Sequence, residues 1–344
     1  MTKQIIEISS STIWRVILIL MFLGCLFLVR DVILIFFIAI IIVSATQPIV
    51  DKLQEKKVPR VLAVLLIYFV FLLFLVTIVY LVAPTMAEEF GQFTSHLPLY
   101  FSNIESFLSE ISNLVANYNV GTEADNFFGN FPDLLVNSAS QIFSNTFVFL
   151  GGLLKLLIIL SLSFYMLMKK DAVKNFLKTI IPQKYQDYSI DLTTRIQYKM
   201  GRWLVGQGSL VVIVFCFYYL TLSALGIPYA LILAIIGGLL EIIPYIGPIL
   251  AAIPAILIAF TISPWMAVFV ILAYIVIQQI ENYLLTPLIM KKAVGLNPVV
   301  IILALLIGGT LAGILGMLVA VPVATALGVF LKDIVDKKNK SKVK

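Results

Sequence analysis

Apolar segments long enough to cross a membrane recur along the chain and constrain its fold more than any other feature. The clearest of them lie at residues 13–29, 32–46, 61–83, 146–168, 203–225 and 265–285. Because an α-helix rises about 1.5 Å per residue, about twenty apolar residues cross the hydrocarbon of a bilayer. Only 12% of the 344 residues are charged, about half of what a soluble domain carries. The chain is therefore predicted to be an all-α polytopic membrane protein with about six to eight transmembrane helices, which excludes soluble enzymes, nucleic-acid-binding proteins and disulfide scaffolds.

The distribution of charge predicts how these segments are oriented. Residues 51–60 carry four Lys or Arg and residues 169–202 carry eight, whereas residues 84–145 carry seven acidic residues and no basic one. Loops rich in Lys and Arg stay on the cytoplasmic side of a membrane. The two basic loops and the basic tail at 332–344 are therefore expected to be cytoplasmic, the acidic region extracytoplasmic, and both termini cytoplasmic.

Six segments follow from these patterns: N-terminal membrane helices in 1–83, an extracytoplasmic acidic helical region in 84–145, a transmembrane helix in 146–168, a cytoplasmic basic amphipathic linker in 169–202, a C-terminal transport core in 203–331 and the tail in 332–344. The linker helix is expected to lie on the inner membrane surface. Arg30 and Asp31, rather than small residues, follow the first apolar run, so this run is expected to remain as an anchor. It and the second run form either a tight hairpin or a single bent entry.

Two apolar segments of the C-terminal half, at residues 229–260 and 299–330, are interrupted by Gly and Pro. The interruptions are Gly237, Gly238, Pro244, Gly247, Pro248 and Pro254 in the first segment, and Gly308, Gly309, Gly313, Gly316 and Pro322 in the second. The two segments read LILAIIGG and IILALLIGG before the first interruption. Paired, Gly/Pro-interrupted segments indicate the binding site of a transporter. We expect two helical hairpins that enter the membrane from opposite faces. In the alternative, each half crosses the membrane, although some halves are short for a crossing.

A few polar residues lie in this apolar half. Glu241 precedes Pro244, while Gln278, Glu281 and Asn282 fall on one helix face. Ionisable groups at membrane depth are costly and mark substrate or ion pathways. The alternatives are a structural carboxylate at Glu241 and an interfacial position for Glu281. The full set of candidate pathway residues is Glu241, Pro244, Gly247, Pro248, Gln278, Glu281, Asn282, Asn297, Gly308, Gly309, Thr310, Gly313, Gly316 and Pro322. Within this set, Gly309 and Gly313 form a small-xxx-small motif, which predicts a close helix contact.

Four motifs carry a resemblance to a known family. They are EIIPYIGP at 241–248, ENYLLTP at 281–287, GLNPVVIILALLIGG at 295–309 and GILGMLVAVP at 313–322. In this order, and together with Gly206-Gln207, they resemble the autoinducer-2 exporter family of bacterial membrane transporters. The resemblance implies a protein of the bacterial cytoplasmic membrane that exports autoinducer-2 or exchanges sodium or lithium for protons. Relatives often carry histidine where this chain has Asn297, and a neutral amide takes up no proton at physiological pH.

The function favoured by these observations is secondary transport by alternating access of the hairpins. The chain contains no Walker-type glycine loop, so an ion gradient rather than nucleotide hydrolysis is the expected energy source. A passive channel remains an alternative. An intramembrane enzyme is less favoured, because His96, the one histidine, lies in the acidic region and no His-Glu-x-x-His motif occurs. We expect no cofactor and no nucleic acid; the expected partners are membrane lipid and a small-molecule or cation substrate, and self-association into a homo-oligomer is left open.

Overall fold

A computed structural model of the chain describes residues 10–74, 146–290 and 295–342, together with isolated residues between 76 and 92. Most of the acidic region at 84–145, which the sequence predicts to be helical, lies outside the described residues, and so does His96. So do Lys291 and Lys292, which follow the last clean apolar run.

The described ranges consist of helices and short connections, without a strand. The helices are α1 (Ser10–Leu28), α2 (Arg30–Glu55), α3 (Arg60–Phe74), α4 (Thr146–Met168), α5 (Ala172–Ile180), α6 (Gln183–Ala224), α7 (Ala230–Leu240), α8 (Ile246–Ile262), α9 (Pro264–Met290) and α10 (Pro298–Lys342). Among the described residues, five helical spans are long and apolar enough to cross a membrane, and shorter apolar helices accompany them. The prediction of an all-α polytopic membrane protein is confirmed.

Helices α1 and α2 form one bent element rather than a hairpin. Val29 between them keeps a near-helical backbone, with φ −95° and ψ 8°. The Val29 N–H donates to the Cys25 carbonyl, and the Ile33 N–H donates to the Val29 carbonyl, both at 3.0 Å. Of the two arrangements that the sequence left open, the structure therefore has the bent entry.

Helix α6 joins two segments that the sequence predicted as separate. Its 42 residues run without a break through position 202, from the basic linker into the fifth apolar run, over a length of about 63 Å. The basic linker helix therefore continues directly into the following apolar run, and its orientation on the inner membrane surface stays a prediction. The amphipathic helix α5 packs back on α6, where Gln186 Nε2 donates to the carbonyls of Lys178 and Ile181.

Both Gly/Pro-interrupted segments turn back on themselves. In hairpin 1, formed by α7 and α8, the chain reverses through residues 241–245, and the two helices pack together. Hairpin 2 is α10, whose two arms meet at Ala312 and Gly313, the latter at φ 59° and ψ −141°. Gly308 and Gly316 face each other across this hairpin so closely that a Cβ on either would meet the carbonyl of the other. Their entry from opposite membrane faces stays a prediction.

Most of the predicted interruptions do not break a helix, and this corrects the sequence interpretation. Gly237, Gly238 and Pro254 lie inside the helices of hairpin 1, and Gly308, Gly309, Gly316 and Pro322 lie inside the arms of hairpin 2. The glycines among them admit close neighbours, as Gly237 admits the Tyr218 ring. Gly313 is also corrected: a Cβ there meets nothing within 4 Å, so its positive φ, rather than a helix contact, requires glycine.

Packing places both hairpins against α6. The largest described apolar cluster joins α6, α7, α8 and α9. A second cluster joins α2 and α6 to both arms of α10. The turn of hairpin 1, the end of α9 and the start of α10 thereby meet around the middle of α6.

Candidate functional site

Two buried carboxyl groups lie at the centre of this meeting point. Glu241 directly follows α7 and is 1% exposed, whereas Glu281 lies on α9 and is 6% exposed. Their carboxyl groups are within hydrogen-bonding distance of each other. A carboxylate is an acceptor only, so a hydrogen bond between the two requires a proton on one of them.

The segment that carries both carboxyl groups, residues 203–290, contains no positive side chain to compensate them. Between Trp203 and Met290 the sequence contains no Lys, Arg, His or Asp, and Glu241 and Glu281 are its two charged residues. Burying a charge without a partner costs several kcal/mol, and this cost normally keeps such groups neutral or paired. A proton or a bound cation can supply the counter-charge that residues 203–290 lack.

The turn of hairpin 1 holds Glu241 in place through its backbone. The Glu241 N–H donates to the Gly237 carbonyl, and the Glu241 carbonyl accepts a 2.6 Å hydrogen bond from Gln207 Nε2 on α6. This bond satisfies a carbonyl that the end of α7 leaves without a helical donor. Gln207 therefore fixes the position of the turn relative to α6.

Tyr245 closes the turn in a strained conformation. Its backbone has φ 66° and ψ −46°, and the Ile246 N–H donates to the Pro244 carbonyl at 2.8 Å. This is a γ-turn with a positive φ, a conformation that is rare for a residue with a side chain. Such strain persists where surrounding contacts impose it, and it is concentrated at functional sites.

Glu281 begins an irregular turn in a helix that the sequence predicted to be clean. Residues Glu281–Leu285 form a π-helical turn between the α-helical parts of α9. A π-turn inserts a residue into the helical repeat and is frequent at functional sites. Gln278 lies one turn earlier, and its Nε2 donates to Glu281 Oε2 at 3.3 Å.

A cavity of about 540 Å³ opens beside the pair. Five predicted site residues line it, namely Glu241, Pro244, Gln278, Glu281 and Asn282. Residues that the sequence did not single out for the site also line it, among them Trp203, Gln207, Leu210, Tyr245 and Val321. Of these, Gln207 carried a usable signal, because an amide in an apolar run marks a buried polar contact.

The other predicted site residues have different positions. Asn297 caps α10, with its Oδ1 accepting from the Val299 N–H at 2.9 Å, while its neighbours Leu296 and Pro298 line the cavity. Thr310 is exposed, and its hydroxyl donates to the Ile307 carbonyl. The remaining members of the predicted set do not line the cavity: Gly247 and Pro248 lie in the first turn of α8, Gly308, Gly309, Gly313 and Gly316 lie near the turn of hairpin 2, and Pro322 lies within its second arm.

The described residues contain no group of three or more His, Cys, Asp or Glu side chains that could hold a metal ion. The site instead combines a carboxyl pair with neutral oxygen and amide groups. Such a set suits a proton or a singly charged cation better than a divalent or transition metal, which needs several anionic or imidazole ligands.

Comparison with known proteins places the chain in a family. The model of the AI-2E family transporters matches residues 16–336. A putative transport protein of Bacillus subtilis, YueF, is 29% identical over 300 residues, which cover 84% of this chain and 80% of YueF. The AI-2 transport protein TqsA of Escherichia coli is 24% identical over 337 residues, which cover 97% of this chain and 95% of TqsA. The chain is a multi-pass membrane protein of the AI-2E transporter family, and its function is membrane transport.

Proposed function

We propose that the chain is a secondary transporter of the bacterial cytoplasmic membrane that exchanges sodium or lithium for protons through the Glu241–Glu281 pair. The observation that carries this proposal is the contact between two buried carboxyl groups in a part of the chain without basic residues. With one shared proton the pair has a charge of −1, and without it the charge is −2. Replacement of the proton by one monovalent cation keeps the net charge of the pair at −1.

The two carboxyl groups belong to elements that can move relative to each other. Glu241 lies in the turn of hairpin 1, whereas Glu281 lies in the π-turn of α9. Movement of the hairpin against α9 would bring the carboxyl groups together around a proton or separate them around a cation. The bound ion, proton or cation, would thus determine the position of the hairpin. Exchange by alternating access requires such a link between the bound ion and the conformation.

The charge pattern indicates the side of the membrane to which the cavity opens. Its lining includes Thr286, Pro287 and Met290 at the end of α9, and Lys291 and Lys292 follow in the sequence. Basic residues beside an apolar span favour the cytoplasmic side. The cavity of this conformation would therefore open towards the cytoplasm.

Export of a small organic solute such as autoinducer-2 is the second candidate function. Its supporting observation is the cavity volume of about 540 Å³, which far exceeds the volume of one ion and lies in the range of small-molecule sites. The relative TqsA bears the name of an AI-2 transport protein. In this variant of the proposal, the solute occupies the cavity and the carboxyl pair carries the coupling proton.

Exchange in liposomes tests the first function. Purified protein is reconstituted with a pH-sensitive dye inside, and external sodium or lithium is added. The wild type is expected to alkalinise the interior as cations enter in exchange for protons, and to acidify it when the cation gradient is reversed. Glu241→Gln and Glu281→Gln should each reduce the rate by about 100-fold or more. Glu55→Gln, at an exposed site on α2, is the matched control and should exchange normally.

Wild-type rates in both Glu→Gln variants, with correct insertion, would contradict the role of the pair. Release of autoinducer-2 from preloaded liposomes, with and without a proton gradient, tests the second function. Gradient-dependent release that is lost in Glu241→Gln would favour solute export, whereas no release beside active sodium exchange would eliminate it.

A further inference from the structure

Two stacked tyrosines lie near the carboxyl pair and are not among the residues that line the cavity. The rings of Tyr218 on α6 and Tyr274 on α9 have centroids 4.5 Å apart and planes inclined by 21°. Both side chains are buried. Gly237 on α7 makes room for the Tyr218 ring, because a Cβ at that position would lie 2.6 Å from it. Three helices therefore cooperate to hold this stack.

Four buried oxygens in this region have no matching hydrogen-bond partner among the described residues. They are Tyr218 Oη, Tyr274 Oη, Gln278 Oε1 and, apart from the carboxyl contact, Glu241 Oε2. Each unsatisfied buried polar group costs about 1–3 kcal/mol. A single such group is an ordinary imperfection, whereas three beside a carboxyl pair, together with one oxygen of the pair itself, indicate a common ligand.

Residue spacing on α9 and the tyrosine stack bring these groups to the same part of the molecule. Tyr274, Gln278 and Glu281 follow each other at four- and three-residue spacing and so share a face of α9. Tyr218 on α6, stacked on Tyr274, lies within electrostatic range of both Glu241 and Glu281. The tyrosine stack, the Gln278 amide and the pair therefore follow one another along α9.

We propose that Tyr218, Tyr274 and Gln278 complete, together with the Glu241–Glu281 pair, an oxygen-lined site for one dehydrated monovalent cation such as sodium or lithium. The proposal rests on the cation exchange proposed above and adds the neutral ligands of the ion. Hard cations prefer oxygen ligands, and neutral hydroxyl and amide oxygens replace their hydration shell without adding charge. The two acidic residues of this region supply the negative charge, and no basic side chain of residues 203–290 competes for it.

Cation binding to purified protein in detergent tests the site without any transport. Equilibrium binding of radioactive sodium is measured at fixed pH for the wild type and for Tyr218→Phe, Tyr274→Phe and Gln278→Leu. The Phe variants remove a hydroxyl and retain the ring stack. We expect each variant to raise the Kd for sodium by about tenfold. Tyr219→Phe, at an exposed position beside Tyr218, is the control and should keep the wild-type Kd.

The melting temperature of each variant, measured in choline chloride, shows whether that variant is folded. Only the sodium Kd values of folded variants are compared with the wild type. Unchanged sodium affinity in those variants would overturn the proposal and leave the carboxyl pair as the sole ligand. Absence of saturable sodium binding by the wild type would overturn it as well. The exchange function fails separately, if sodium binds as described but Glu241→Gln and Glu281→Gln liposomes still exchange sodium for protons at the wild-type rate.

Discussion

At the scale of single residues, Tyr245 combines an unfavourable backbone with a position on the cavity wall. Tyr245→Gly and Tyr245→Ala both remove the ring, but only Gly relieves the positive φ. We expect Tyr245→Gly to be more stable than Tyr245→Ala by about 1 kcal/mol, although glycine is the more flexible residue. Thermal unfolding of the two purified variants measures the difference. Equal or lower stability of the Gly variant would mean that the turn is not strained.

A second residue, Gln207, is expected to matter through its contact with the backbone of hairpin 1. Gln207→Leu retains the volume but leaves the buried Glu241 carbonyl without its donor, at a cost of about 1–3 kcal/mol. We expect a lower melting temperature and slower transport. Gln183→Leu on the same helix, where the side chain is exposed, should change neither. If both variants behaved alike, the bond between Gln207 and Glu241 would not hold the turn.

Site residues could be predicted from the sequence where a polar side chain lies in an otherwise apolar helix. Glu241, Glu281 and Gln278 stand out because polar groups are rare in apolar helices, and all three line the cavity. Asn297 stood out for the same reason but serves as a helix cap. Tyr218 and Tyr274 gave no signal, since an aromatic residue in an apolar run is ordinary core until its hydroxyl is found without a partner.

At the scale of helices, each hairpin depends on one glycine of its second arm. Gly247 faces the Leu240 carbonyl in hairpin 1, and Gly316 faces the Gly308 carbonyl in hairpin 2. A methyl group at either position would collide with backbone, which cannot rotate away. We expect Gly247→Ala and Gly316→Ala to lower the melting temperature and to reduce transport severalfold, despite the higher helix propensity of alanine.

Gly208→Ala is the control for these two substitutions, because a Cβ at Gly208 meets nothing within 4 Å. Because alanine has the higher helix propensity, Gly208→Ala should leave the melting temperature unchanged or raise it slightly. Melting curves and transport rates of the three variants, compared in one preparation series, check the expectation. A stable and active Gly316→Ala would show that the arms of hairpin 2 are less closely packed than described.

The existence of the two hairpins was predictable, whereas their turning points were not. Glycine and proline permit a turn, but they are equally suited to close packing inside a membrane helix. Pro254 and Pro322 both lie within helices. The turns occur at residues 241–245 and at Ala312 and Gly313, and tertiary contacts rather than local composition select these points. The π-turn that begins at Glu281 could not be predicted from the sequence either, since ENYLL has no distinctive composition.

At the scale of the whole molecule, one ion pair ties the basic part of α6 to the second arm of hairpin 2. Arg195 donates two hydrogen bonds to Asp333, at 2.7 and 2.5 Å, and the Asp333 side chain is 14% exposed. Asp333→Arg places two like charges together and should lower the melting temperature and transport. The double variant Arg195→Asp with Asp333→Arg restores opposite charges and should recover much of the loss.

A charge reversal at Asp187, which is exposed on α6, separates this pairing from a general effect of charge. Asp187→Arg should be tolerated better than Asp333→Arg in the same melting and transport measurements. If the double variant were no better than Asp333→Arg alone, α6 and hairpin 2 would be held together by their apolar contacts and not by the ion pair.

The orientation of the whole chain connects these parts to a membrane. The acidic region at 84–145 is predicted to be extracytoplasmic and residues 169–202 cytoplasmic, because the first has no basic residue and the second has eight. Single cysteines replace Ser112 in the first and the exposed Gln183 in the second, in a background without Cys25 and Cys216. A membrane-impermeant thiol reagent should label Ser112→Cys in intact cells and Gln183→Cys only after permeabilisation. Helix α6 then runs outward from Gln183, α9 runs inward to Met290, and the cavity beside the carboxyl pair opens to the cytoplasm. The reverse labelling would invert the chain, and the same cavity would open to the outside.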